Sequence, residues 1–270
     1  MKQVSYQVEK LASRKTRSIA LLSVALVALL AVGSTLAFLS MNTGSKSNVF
    51  TSTKGISAVL HECAWDGGLA TNPNPGASTD PNLGINKAKN LLPGVLAPKD
   101  PIITNMNPAG GEGEYLGMRV TFQKASQAPG QPVAWTTMSD TEVGYLMVGV
   151  AVANSTTPNP TVGGFAFNPA WVRGDGATGT KAKMQFNHTA IVAAGQPASA
   201  PLFNSVSIIP TAGNAAYVSG APTAANFLTW LGQTCTDSKF QIVVDGAATQ
   251  STSVAAPAAY AQLLALLPVN

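Results

Sequence analysis

The chain has 270 residues, of which 46% are hydrophobic and only 10% charged, and its formal charge is +4. Five Lys/Arg and one Glu lie in residues 1–37, which leaves eleven basic and eleven acidic residues in 38–270. The basic excess therefore belongs to the N-terminal segment, and the composition argues against a nucleic-acid partner, which would require basic residues clustered on one face.

The first segment is ordered by charge and hydropathy. Lys2, Lys10, Arg14, Lys15 and Arg17 precede an apolar run from Ile19 to Val32, and Gly33-Ser34-Thr35-Leu36-Ala37-Phe38 follows. This is the order of a secretory signal: a positive n-region, a short apolar region, and small residues at the minus-three and minus-one positions of a cleavage site. Thr35 and Ala37 fit those positions. Residues 1–37 are therefore expected to be a signal peptide cut by a signal peptidase between Ala37 and Phe38. The membrane is met only through the uncleaved signal, whose stretch from Ile19 to Leu39 is just long enough to span a bilayer. The remaining body is neutral and sparsely charged, hence poorly protected against self-association. That is a hazard for a free enzyme and an asset for a polymer.

Phe38-Leu39-Ser40-Met41-Asn42-Thr43 alternates loosely, and Gly44-Ser45-Lys46-Ser47 reads as a flexible joint. Residues 38–47 are thus a flexible N-terminal segment, with 48–270 as the domain. Lys54 to Glu62 has Ile56, Ala58 and Leu60 at period two and predicts a half-buried strand. Asp66 to Asn86 is dense in turn-forming residues and reads as a surface loop. Ile102-Ile103 opens a short strand. Tyr115 to Phe122 sets Leu116, Met118, Val120 and Phe122 against a mixed face, as in antiparallel sheet. Val143 to Ala153 reads as a continuous apolar strand. Further strands are expected over Phe165 to Val172, Lys181 to Asn187, Pro201 to Ile209 and Phe240 to Val244. Ala224 to Leu231 predicts a helix that stops at Gly232. Pro257 starts a short terminal helix with Tyr260, Leu263, Leu264 and Leu267 on one stripe. Cys63 and Cys235 are an even count in an exported chain, and a disulfide between them is expected. The loop it closes is long, and the chain-entropy model assigns it roughly 5 kcal/mol.

Several pieces fall together in a family's order. They are the export segment ending Gly33-Ser34-Thr35-Leu36-Ala37-Phe38; Asn48 to Phe50 before Gly55-Ile56-Ser57-Ala58-Val59-Leu60 and Glu62; Leu92-Pro93-Gly94 before Pro101 and Asn105; Tyr115-Leu116-Gly117-Met118; Leu202-Phe203 with Val206; and Phe240-Gln241-Ile242-Val243-Val244 before Ala247 and Gln250. On these the chain resembles the TasA/camelysin family of exported Gram-positive proteins, whose subunits build biofilm-matrix fibres. The resemblance implies an all-β fold, a jelly-roll-like antiparallel β-sandwich with one or two short helices. It also implies a homopolymer in which Phe38 to Thr43 of one copy adds a strand to the next, Leu39 and Met41 filling pockets along the sheet edge.

Camelysin-type members are described as metallopeptidases, so the resemblance also admits metal-ligating chemistry. His61-Glu62 lacks the second His that a zincin pattern needs four residues after the first, because position 65 is Trp. A two-His site would have to bring His188, the only other histidine, to His61. Gly-x-Ser-x-Gly is absent. Glu112 with Glu114, and Asp140 with Glu142, read as turn carboxylates rather than as a glycosidase or calcium pair. No cofactor is expected. The resemblance together with the neutral body implies a structural, non-enzymatic subunit, with a surface metallopeptidase and a glycan-binding adhesin sandwich as alternatives.

Overall fold

The computed structural model describes residues 40–43, 55–66, 80, 82–89, 91–128, 130–154, 163–175, 180–252 and 254–267. The first elements are β1 (Ser40–Thr43), β2 (Ala58–His61), the single-turn α1 (Cys63–Asp66), α2 (Leu83–Lys89), β3 (Leu96–Pro98) and β4 (Ile102–Asn105). They lead to the long β5 (Glu114–Ser126), then β6 (Ala134–Thr137), α3 (Asp140–Gly149), β7 (Val150–Ala153) and β8 (Gly164–Phe165). The chain continues through β9 (Trp171–Arg173), β10 (Lys183–His188), β11 (Ser205–Ile208), α4 (Phe227–Thr234), β12 (Phe240–Gln250) and α5 (Ala256–Leu266). The expected signal segment with its Ala37–Phe38 junction, Leu39, and the expected joint at Gly44–Ser47 lie outside the described residues.

Most of these strands pair antiparallel. One sheet runs β1-β12-β5-β10-β9 with β6 also on β5, a second runs β3-β11-β7-β8, and β2 pairs with β4. The exception is the short parallel pairing of β7 with β8. The centre is β5, whose Glu114–Lys124 matches Gln250–Phe240 of β12 residue for residue. Leu116, Met118, Val120 and Phe122 are completely buried, as the alternation predicts. Phe122 stacks on Phe165 at 4.7 Å, and Phe167 lies 4.3 Å from Phe186 and 6.1 Å from Phe203. These rings join residues of the first sheet to residues beside the second, and burying them supplies a large share of the core.

The mixed face of β5 is covered as well. Tyr115, Ala247, Ala259, Leu263 and Leu267 form a buried apolar cluster, so α5 lies on β5 and β12. Small residues permit that approach: Gly117 and Ala247 are cross-strand partners, and a Cβ on Gly117 would stand 3.3 Å from Leu263 Cβ. Tyr260 meets Tyr115 edge-on at 5.6 Å. Farther along the same strands, Arg119 and its partner Asp245 form an ion pair at 2.6 Å.

Three expectations are corrected. Asp140–Gly149 is helical, and only Val150–Ala153 of the apolar run is strand. The reason is local, a capping box in which the Ser139 hydroxyl accepts from the Glu142 N–H and the Glu142 carboxylate accepts from the Ser139 N–H. Leu83–Lys89 is a helix where a loop was expected; Gly84 lets it press on Trp65, which a Cβ there would strike at 2.2 Å. The helices are thus more numerous than the one or two expected.

Candidate functional site

The candidate site is the outer edge of β12 over Gly246-Ala247-Ala248-Thr249, where β1 is seated. Ser40 pairs with Thr249, Met41 with Ala248, Asn42 with Ala247 and Thr43 with Gly246, all antiparallel. A sheet edge presents unpaired backbone donors and acceptors that accept any strand of matching length. The β12 side of this edge is held firmly. Ala247, Ala248 and Thr249 are all inaccessible to solvent, Ala247 is packed under α5, and Thr249 Oγ1 bonds Gln262 Oε1 at 2.8 Å. The β12 side of the edge is therefore built from small side chains, with Thr249 held by Gln262, over which a paired strand lies.

The sequence pattern predicts a strand that stops at Val244, whereas β12 continues to Gln250. Asp245-Gly246-Ala247-Ala248-Thr249 is low in β-branched and aromatic residues, and its strand character comes from pairing with β5.

The other singled-out residues are dispersed. His61 lies on β2 with Nε2 3.0 Å from Thr104 Oγ1, while Glu62 binds Lys99 through both carboxylate oxygens at 2.8 Å. His188 lies on β10, its Nδ1 2.7 Å from Ala190 O and its Nε2 3.0 Å from Ser199 Oγ, with Trp171 edge-on. The two histidines sit in different sheets, and burial lowers the pKa of both. Among the described residues no group of three or more His, Cys, Asp or Glu is arranged to hold a metal ion.

Glu112 accepts a hydrogen bond from Thr252 Oγ1, and Asp140 accepts from the Ala182 N–H at 3.0 Å. Burial pushes Glu142 up, but the Lys124 ion pair and the Ser139 hydrogen bonds outweigh it and hold the carboxyl below its ordinary range. Glu114 is fully buried. Its Oε1 accepts from the Ser57 N–H at 2.9 Å and from Asn107 Nδ2 at 3.2 Å, while Oε2 has no hydrogen-bond partner. Burial drives this carboxyl up to about 8.

The expected bond between Cys63 and Cys235 is not formed in the structure. Both are buried thiols, Cys63 opening α1 and Cys235 capping the C-terminus of α4. Burial raises the Cys235 thiol to about 11, and a thiol held protonated is a poor nucleophile for disulfide exchange.

Comparison with protein-family models, with curated proteins and with solved structures finds no match to this chain.

Proposed function

We propose that this chain is an exported structural subunit that polymerises with other copies of itself into cell-surface or biofilm-matrix fibres by donating its N-terminal strand. The observation that carries the reading is the seating of Ser40–Thr43 on Gly246–Thr249. A donor segment and an edge that receives it are both present in one chain. Every copy has the same edge, so transfer of the strand to a neighbour exchanges identical main-chain bonds, and the balance is set by concentration and by the joint. Gly44-Ser45-Lys46-Ser47 supplies that joint in the sequence. Cleavage by signal peptidase between Ala37 and Phe38 releases the strand on the outer side of the membrane, so assembly is confined to the exported form. The aromatic contacts between residues of the six-stranded sheet and those beside the four-stranded sheet support a jelly-roll-like sandwich as the domain that carries the edge.

The test is electron microscopy of protein beginning at Phe38. The intact chain should form fibres, whereas deletion of residues 38–43, or Leu39→Asp with Met41→Asp, should leave a folded monomer that forms none. Fibres of normal length from either variant would overturn strand donation.

A further inference from the structure

A cleft of about 710 Å³ opens between β3 and β11 on one side and the start of β12, with β6, on the other. Its walls are mainly apolar, with Ile85, Leu91, Val206, Ile208 and Ile242 joined by the rings of Trp65 and Phe240. Two of its residues, Leu92 and Trp135, are large apolar side chains left 63% and 44% exposed. Exposed apolar residues are unremarkable when scattered, but converging on one concavity they describe a site that gains by being filled.

Most of the polar groups around it are engaged. Trp65 Nε1 donates to Pro98 O at 2.8 Å. Gln241 donates to Gln123. Lys99 is paired with Glu62 and lies 4.8 Å from the centre of the Trp65 ring, and Lys239 is paired with Asp237 at 2.9 Å. A sugar, with a hydroxyl on nearly every carbon, would leave most of its hydrogen bonds unmade against such walls. Lys89, in the last turn of α2, is solvent-exposed and has no carboxylate partner among the described residues. With Lys99 paired to Glu62 and Lys239 to Asp237, Lys89 is the uncompensated lining charge among the described residues, and it favours an anion at the mouth.

We propose that this cleft binds a fatty-acyl carboxylate, with the acyl chain along the apolar walls under Leu92 and Trp135 and the carboxylate at Lys89. The site is independent of strand donation.

Calorimetric titration of the intact protein with laurate, below its micelle concentration, tests it. Saturable one-to-one binding is expected. Dodecyltrimethylammonium, with the same chain length and opposite charge, should bind roughly three- to fivefold more weakly, as for a solvent-exposed ion pair. Leu92→Ser with Trp135→Ala, both at exposed positions, should weaken laurate about tenfold through lost apolar contact. Lys89→Glu should weaken it roughly three- to fivefold, as for a solvent-exposed ion pair, with the thermal midpoint of each variant confirming that it is folded. Absence of saturable laurate binding would overturn the proposal, as would equal affinity for the cation or Trp135-dependent binding of a neutral oligosaccharide in place of laurate.

Discussion

Glu114 shows how one buried group couples stability to pH. Its carboxyl ionises near 4.5 in an unfolded chain but only near 8 in the folded one. Below about 4.5 it is protonated in both states and stability is undiminished. As pH rises, the unfolded chain loses a proton that the native state retains, so stability falls until the native carboxyl also ionises near 8. At about 1.4 kcal/mol per pKa unit, the loss is on the order of several kcal/mol. Glu114→Gln keeps the oxygen that accepts from Ser57 and Asn107 and removes the proton equilibrium. The variant is therefore expected to gain on the parent steadily between pH 4.5 and 8, read from urea midpoints at a series of pH values. His61 and His188 act oppositely, because a depressed imidazole pKa costs stability as pH falls below about 6.5. Both contribute equally to parent and variant and cancel in the difference. Parallel pH profiles for the two proteins would refute the role given to Glu114.

Among elements, legibility followed the information in the local pattern. Leu116 to Phe122 alternates between a wholly apolar and a mixed face, and it became the buried centre of the six-stranded sheet. Val143 to Ala153 is apolar almost throughout, and an unbroken run fits a buried helix as well as a buried strand. The deciding residues lay upstream of it: Ser139 and Glu142 cap a helix, and the strand begins only at Val150. Leu83 to Lys89 has no helical stripe and gains its conformation from packing on Trp65, a tertiary contact that no local pattern encodes. The loose alternation of Phe38 to Thr43 suits the strand found at Ser40–Thr43. Its partner on β12 was not legible, because Gly246 to Thr249 become strand only through register with β5. The cap gives a prediction at this scale. Ser139→Ala removes the hydroxyl that accepts from Glu142 and should lower stability by about 1 kcal/mol in denaturant unfolding. An unchanged midpoint would mean that α3 is held by its buried Val143 and Leu146 alone.

For the whole molecule the question is which copy's β12 a given N-terminal strand occupies. In the structure Met41 lies opposite Ala248 of its own chain. Paired residues of an antiparallel ladder have Cα atoms about 4.5–5.5 Å apart, within the span of a disulfide. Met41→Cys with Ala248→Cys therefore reports the exchange covalently. Oxidised as dilute monomer, the variant should form the bond within one chain, run at monomer size without reductant, and fail to make fibres until it is reduced. Assembled first and oxidised afterwards, it should join each subunit to the next and give a ladder of high-mass species on non-reducing gels. Buried Cys63 and Cys235 are present in both arms and leave the comparison intact. Fibres whose subunits oxidise only within single chains would show that β1 stays at home, and that the polymer is joined through another surface.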